Sequence, residues 1–419
     1  MARKSKKDVR AESAKRIEIR NGSNIFADEA EARNGLRPES KRVLALGIVF
    51  VLVLFAAMIL PTGLFGSSLV ETTFSVVVER ISYNFDGLVN LLTGNGAVFE
   101  TRFMAVVVCA VSGAALGLCG STYQGAFNNP LAAPKTLGVM SGGALGALVY
   151  VLWLSDLTPS MPGSGGTVTA NQIAAWEASL DPFSWFYLYY GRALCSIAGC
   201  FIVVAIVMAL THVLSRGRTS NIIIIIFGQV FATCITAIIQ FARYFYTVDG
   251  STDMADALAE IENYTMIQTF EFQDLLIVVA PILVCIIIVL VMRNRLTMLS
   301  FGDDVATTMG INVKRTRYIM IALCTIMTGL AISFCGHIAF LGFISAHLTR
   351  RIVGPDFRFL LPASALVGAT FITIVQYLCE SGLPFTSQYA AGPVCSILGA
   401  CLFIFIVLTQ RKEGTGGWK

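Results

Sequence analysis

The chain has 419 residues, 55% of them hydrophobic and only 13% charged, with a formal net charge of +4 at pH 7. Soluble domains carry about a quarter charged residues, so this composition, with a mean hydropathy of +0.72, excludes a water-soluble globule. No nucleic-acid partner is expected.

Residues 1–42 stand apart, with twelve Lys or Arg, seven Asp or Glu and little apolar periodicity. They read as a charged cytoplasmic tail. The tail is too long for the basic region of a cleaved signal, and no A-x-A site follows Leu60, so Val43–Leu60 reads as an uncleaved first span. Neither Val43–Leu60 nor Leu275–Met292 contains a charged residue. A bilayer core of about 30 Å takes roughly 20 such residues as a helix, and backbone groups in lipid must pair within the chain. The pattern predicts an all-α, polytopic membrane protein with ten spans. They fall near 43–65, 101–120, 136–155, 191–214, 221–242, 273–292, 317–335, 339–350, 359–380 and 389–410. The eighth is too short for a full crossing and reads as a short or re-entrant helix.

Orientation follows from where the basic residues fall. The fourth span exits at Arg216 and Arg218, the sixth at Arg293 and Arg295, the eighth at Arg350 and Arg351, and the tenth at Arg411 and Lys412. The loop after the sixth adds Lys314, Arg315 and Arg317. Both termini are therefore expected in the cytoplasm of a cell (plasma or inner) membrane, with 43–412 as the membrane domain and 413–419 as a short tail. The opposite side is acidic or neutral: Ser155–Asp181 has no Lys or Arg, and Val248–Asp274 carries Asp249, Asp253, Asp256, Glu260, Glu262, Glu271 and Asp274. Val76–Leu92 is amphipathic and fits a helix lying on the outer surface.

Cysteines such as Cys109, Cys195, Cys285, Cys324 and Cys401 stand singly in apolar runs, with no C-x-x-C pair. They read as small hydrophobes. The histidines are His212, His337 and His347, and no metal, disulfide or cofactor is expected. G-x-x-x-x-G-K-[ST], H-E-x-x-H and G-x-S-x-G are absent, so any ATP would be hydrolysed by another polypeptide and the chain itself is not expected to be an enzyme. Acids are scarce within the spans, which leaves no evident proton or sodium relay.

Three segments carry polar breaks. In Gly113–Gly146, small residues at helical spacing allow close helix packing, while Asn128, Asn129, Pro130 and Pro134 break the helix where it turns back. In Leu299–Val313, Ser300 is a candidate cap for a short helix with Asp303 and Asp304 in its first turn, and Gly310 can stop it. Such a helix is either a tidy connector or a rigid handle for a partner. In Gly336–Pro362, Gly336, Gly342, Gly354 and Pro355 cut the apolar run, and His347 and Arg350 share a helical face. His347 taken alone reads as a packed, hydrogen-bonded histidine.

Together these segments resemble the FecCD family of ABC permeases, importers of iron–siderophore complexes, haem and vitamin B12. Gln124, Asn129, Pro130, Leu131, Ala132, Pro134, Leu137, Gly138 and Gly142 match the first family pattern. Leu299, Gly302, Ala306 and Gly310 match the second, with Asp303 in place of Glu. Gly336, Ile338, Phe340, Gly342, His347, Arg350, Gly354, Asp356, Arg358 and Pro362 match the third. The resemblance implies a ten-helix protomer paired with a second permease protomer, identical or not. Two ATPase subunits would grip the loop near 296–316, and an extracytoplasmic binding protein would deliver a metal chelate. It also implies a pathway-lining fifth span with Gly228, Gln229, Thr233 and Thr236, offsets that share one helical side.

Departures from the family are also visible. Ala346 replaces a proline before His347. Arg102 is the one arginine kept of two outside the second span, and Gln376 and Glu380 replace an acid and an arginine after the ninth. With an acidic outer face, docking charges at Arg102, Asp256 and Glu380 are expected to be partly reversed or rearranged. A secondary transporter or channel for a small solute is the alternative class.

Overall fold

The computed structural model describes residues 37–59, 97–154, 176, 179–214, 221–251, 254, 257, 258, 261, 272–338, 340–380 and 391–412. Every regular element among them is helical. In chain order these are α1 (Pro38–Ile59), α2 (Ala97–Ala126), α3 (Val139–Val149, continuing as a π-helical turn over Tyr150–Leu154), α4 (Pro182–Leu214), α5 (Asn221–Val248) and α6 (Phe272–Val291). Then follow α7 (Arg293–Leu299), α8 (Asp303–Thr308), α9 (Val313–Cys335), α10 (Leu341–Val353), α11 (Phe357–Glu380) and α12 (Ala391–Lys412). Among the described residues six helices are long and apolar enough to cross a bilayer, and α6 with α7, bent by 55° at Met292, makes a seventh when taken as one broken span. Shorter apolar stretches lie in α3 and within α12 over Gly392–Leu402, and the 13-residue α10 falls at the short eighth span, so the helices are broadly compatible with the ten expected rods.

Their ends differ from expectation. Helix α2 begins at Ala97, which places Arg102 inside the helix rather than before it. Helix α11 runs to Glu380, so Gln376 is a buried residue within it and Glu380 is its last. Helix α4 starts at Pro182, nine residues before the apolar run. Its start is chemically determined: Asp181 Oδ2 accepts the Ser184 amide at 3.2 Å, and proline at the first helical position forfeits an N–H that would be orphaned anyway. The Ser184 donors hold the Asp181 carboxyl below its ordinary pKa. The tail before residue 37, the amphipathic Val76–Leu92, Asp256 and most of the two outer segments lie outside the described residues.

Helix α2 is the axis of the bundle. The most apolar window within Phe103–Ala126 is 78% buried, against 11% for Pro38–Met58 of α1, and α2 packs on α9, α10 and α11. Close approach explains this, because lipid offers no hydrophobic drive between helices and contact must come from backbone proximity. A Cβ on Gly120 would fall on the backbone carbonyl of Gly342, and one on Gly113 would meet the Gly368 carbonyl at 2.7 Å. Helix α3 meets α4 in the same way through Gly146 and the Cys195 carbonyl.

Candidate translocation and coupling site

The polar breaks converge on the end of α2. After Ala126 the chain turns through Asn128, whose φ of 46° is in the left-handed region that asparagine tolerates. Asn129 Oδ1 then accepts the Leu131 amide at 2.9 Å, and Thr136 Oγ1 accepts the Ala133 amide at 2.9 Å, so side chains supply the pairing that the broken helix lost. Gly138, at φ 73°, turns the chain into α3.

Helix α10 closes on this turn. His347 Nε2 lies 3.1 Å from the Pro130 carbonyl; a carbonyl only accepts, so Nε2 carries the hydrogen. The His347 ring packs 4.3 Å from that of Phe343. One turn on, Arg350 Nη2 donates to Gln124 Oε1 at 3.1 Å, across 226 residues of sequence. The cation thus sits at the C-terminal end of α2, where the helix dipole favours it. Gly354, at φ 90°, ends α10 and its amide caps the Arg350 carbonyl at 3.0 Å. Gln124, Asn129, Pro130, Pro134, Gly138, Gly342, His347, Arg350 and Gly354 therefore belong to one neighbourhood, the lock between α2, its turn and α10.

The second part is the α7–α8–α9 corner. Ser300 is not the cap of α8: its hydroxyl donates back to Thr297 O at 2.7 Å, ending α7. Gly302 occupies the cap position at φ 104°, a reversal that serine would resist. Asp303 and Asp304 do open α8. Gly310 and Ile311 close it, with amides donating to Thr307 and Ala306 carbonyls at 3.0 and 3.1 Å, a Schellman end. Asn312 then caps α9, accepting the Arg315 amide at 3.0 Å.

One side chain joins α8 to the end of α2 by hydrogen bonds. Arg317 forks onto Asp303, Nη2 to Oδ1 at 2.6 Å and Nη1 to Oδ2 at 3.2 Å, while its Nε donates to the Ala126 carbonyl at 2.8 Å. Arg317 was noted in sequence only as one of the basic residues that orient the chain. The facing of α8 was not anticipated either. Leu299 and Ala306 are buried against the bundle, so those two motif residues anchor the corner from behind. The exposed side carries Phe301, Val305 and Met309, at 62%, 42% and 51% exposure. Val305 and Met309, four apart, share one side of α8 and its C-cap, while Phe301 stands just before the Gly302 reversal.

The third part is a cavity of about 350 Å³ beside α5. Gln229, Thr233 and Thr236 line it together, with Lys135, Ser141 and His337 opposite. Helix α5 is held against the α2–α3 turn because Gly228 has no side chain: a Cβ there would overlap the Thr136 carbonyl.

A bundle of broken and unbroken membrane helices, with a polar-walled cavity and a projecting capped corner, is the architecture of an ABC transporter permease. The model of the FecCD transport family matches residues 67–409, and the chain belongs to that family. It is 26% identical over 347 residues to the hemin transport system permease protein of Yersinia pestis, covering 82% of this chain and 93% of that one. It is also 26% identical over 351 residues to an Fe(3+)-citrate import system permease protein of Bacillus subtilis, covering 82% and 93%. The inward-facing structure of a protein described as a metal-chelate type ABC transporter shares the fold, with a TM-score of 0.64 at 21% identity over 88% of this chain and 99% of that one.

Proposed function

We propose that the chain is the permease subunit of an importer for an iron–siderophore or related metal chelate. An extracytoplasmic binding protein delivers the chelate, and ATP is hydrolysed on two separate ATPase subunits. Two permease protomers, identical or different, face each other around the α5 cavities, and Gln229, Thr233 and Thr236 line the path. The charged tail 1–42, the α8 corner within 296–316 and the C-terminal 413–419 lie on the cytoplasmic side of the cell membrane.

The observation that carries this reading is the exposed apolar cluster at the α8 corner, with Val305 on the helix, Met309 at its C-cap and Phe301 in the turn before it. An apolar ridge on a rigid corner fits a cleft on a partner protein, and the corner's tie to α2 lets a push on α8 reach the bundle. The test is reconstitution. In vesicles with its ATPase and binding protein, the protein is expected to take up a ferric chelate only when ATP is supplied, and Val305→Asp is expected to abolish co-purification of the ATPase. Uptake by the chain alone on a proton or sodium gradient overturns the reading.

Binding-protein docking is assigned to the acidic outer side, through Arg102, Asp256 and Glu380. Reversing the acids, as Asp256→Lys with Glu380→Lys, is expected to weaken binding-protein affinity roughly tenfold at low salt, and less at high salt, where exposed charges are screened. Titration of the binding protein against nanodisc-embedded permease at two salt concentrations checks it; an affinity and salt slope equal to the wild type counts against the assignment.

A further inference from the structure

Lys135 has no role in the fold described above, and its placement is unusual for a lysine. It follows Pro134 in the α2–α3 turn and is half-buried, where a charged group normally keeps a counter-ion or reaches water. Its Nζ lies 4.7 Å from the centroid of the Phe340 ring, so its packing partner is a ring face rather than a carboxylate. Phe340 is itself constrained. Its φ of 64° is the left-handed region, which a bulky residue rarely occupies, and it fills the space that a side chain on Gly399 would need.

Lys135 also lies between two hollows. It lines the polar cavity shared with Gln229, Thr233 and Thr236, and a neighbouring apolar hollow of about 260 Å³ walled by Leu131, Pro134 and Phe343. Among the described residues lining either space there is no Asp or Glu. The polar cavity therefore holds one lysine, one imidazole from His337, and neutral amides and hydroxyls. A lone formal charge in a low-dielectric concavity focuses the field on whatever enters.

We propose that Lys135 makes this permease selective for anionic cargo, that is, metal chelates whose carboxylate or catecholate ligands leave a net negative charge, over neutral hydroxamate chelates. The ammonium pairs with the anionic rim of the chelate while the apolar hollow receives its organic part. The inference rests on the reading of the α5 cavity as the transport path and adds its charge preference.

The probes are ferric dicitrate and a neutral ferric trihydroxamate, each labelled with radioactive iron. They are dialysed to equilibrium against the permease–ATPase complex in nanodiscs without the binding protein, so that its own selectivity does not enter. Wild type is expected to retain the anionic chelate at least about tenfold better, with the preference falling as salt rises. Lys135→Met is expected to bring the two chelates within about twofold, and Lys135→Arg, which keeps the charge, to restore the preference. A merely structural lysine would lower retention of both chelates together in Lys135→Met, and that result overturns the proposal. Equal retention of the two by wild type overturns it also, while leaving the importer reading intact. Retention of neither, together with no ATP-driven uptake of either in the reconstituted system, overturns the importer reading itself.

Discussion

Arg317→Lys is expected to lower ATP-driven uptake about tenfold or more while leaving the protein folded. Arg317 makes three N–H contacts in two directions, a fork onto Asp303 and a separate bond to the Ala126 carbonyl. Lysine keeps the charge but presents one nitrogen on a flexible stem, so it can serve the acid or the carbonyl but not hold both rigidly. The loss of stability is small. Asp303 is 55% exposed, and exposed ion pairs contribute roughly 0–1 kcal/mol. The effect is therefore on transmission: α8 would move without carrying the end of α2. Asp303→Asn is expected to resemble Arg317→Lys, because an amide cannot accept the fork with both atoms. Asp303→Glu, which keeps the carboxylate, is expected to recover most of the uptake. The measurement is uptake per ATP hydrolysed in vesicles. Arg317→Lys with wild-type uptake would sink the assignment of Arg317 as the strut.

The contrast between Asp303 and Arg317 shows what the sequence makes legible. Local chemistry is readable. The break at Asn128–Pro134, the acidic first turn of α8 and the glycine stop at Gly310 all follow from backbone preferences within a few residues. So does the count of apolar rods, because each must satisfy its own backbone in lipid. Span starts are less readable. Helices α2 and α4 begin before the expected spans, α4 with the aromatic-rich stretch from Pro182 to Tyr190 and α2 at Ala97. The shared face of His347 and Arg350 is visible from their spacing, but their partners Pro130 and Gln124 lie more than 200 residues away and only packing brings them there. Ser300 has the right chemistry for a cap, yet the reversal needs positive φ and the chain places Gly302 there. Leu299 and Ala306 are motif residues that face inward, whereas the exposed Phe301, Val305 and Met309 lie outside the motif. Lys135 could not have been assigned, since nothing local says that a residue between two proline-bounded turns looks into a cavity.

Gly120→Ala is expected to be severely destabilising although it adds a single methyl group and improves helix propensity. In an ordinary helix the change favours the fold by roughly 0.5–1 kcal/mol. Here the new Cβ falls on the Gly342 backbone carbonyl of α10. Backbone cannot rotate aside as a side chain can, so α2 and α10 must separate. That separation loosens the lock of Gln124 to Arg350 and of Pro130 to His347, which depends on the same close approach. Overpacking costs about 1–3 kcal/mol and occasionally more, and a backbone-on-backbone overlap belongs at the upper end. Gly47→Ala is the control: its Cβ would meet only Leu366 Cδ1, at 3.9 Å, so propensity alone decides and the change is expected to be neutral or mildly stabilising. The chain suits a direct measurement, because Cys109, Cys119, Cys200, Cys285, Cys324, Cys335, Cys379 and Cys395 are buried. A thiol-reactive dye in detergent reports unfolding as these become accessible. The midpoint of Gly120→Ala is expected to fall by roughly 2–8 °C, while Gly47→Ala stays within about a degree or rises. If the two variants melt together, the α2–α10 contact is not the tight one and α2 does not organise the bundle through it.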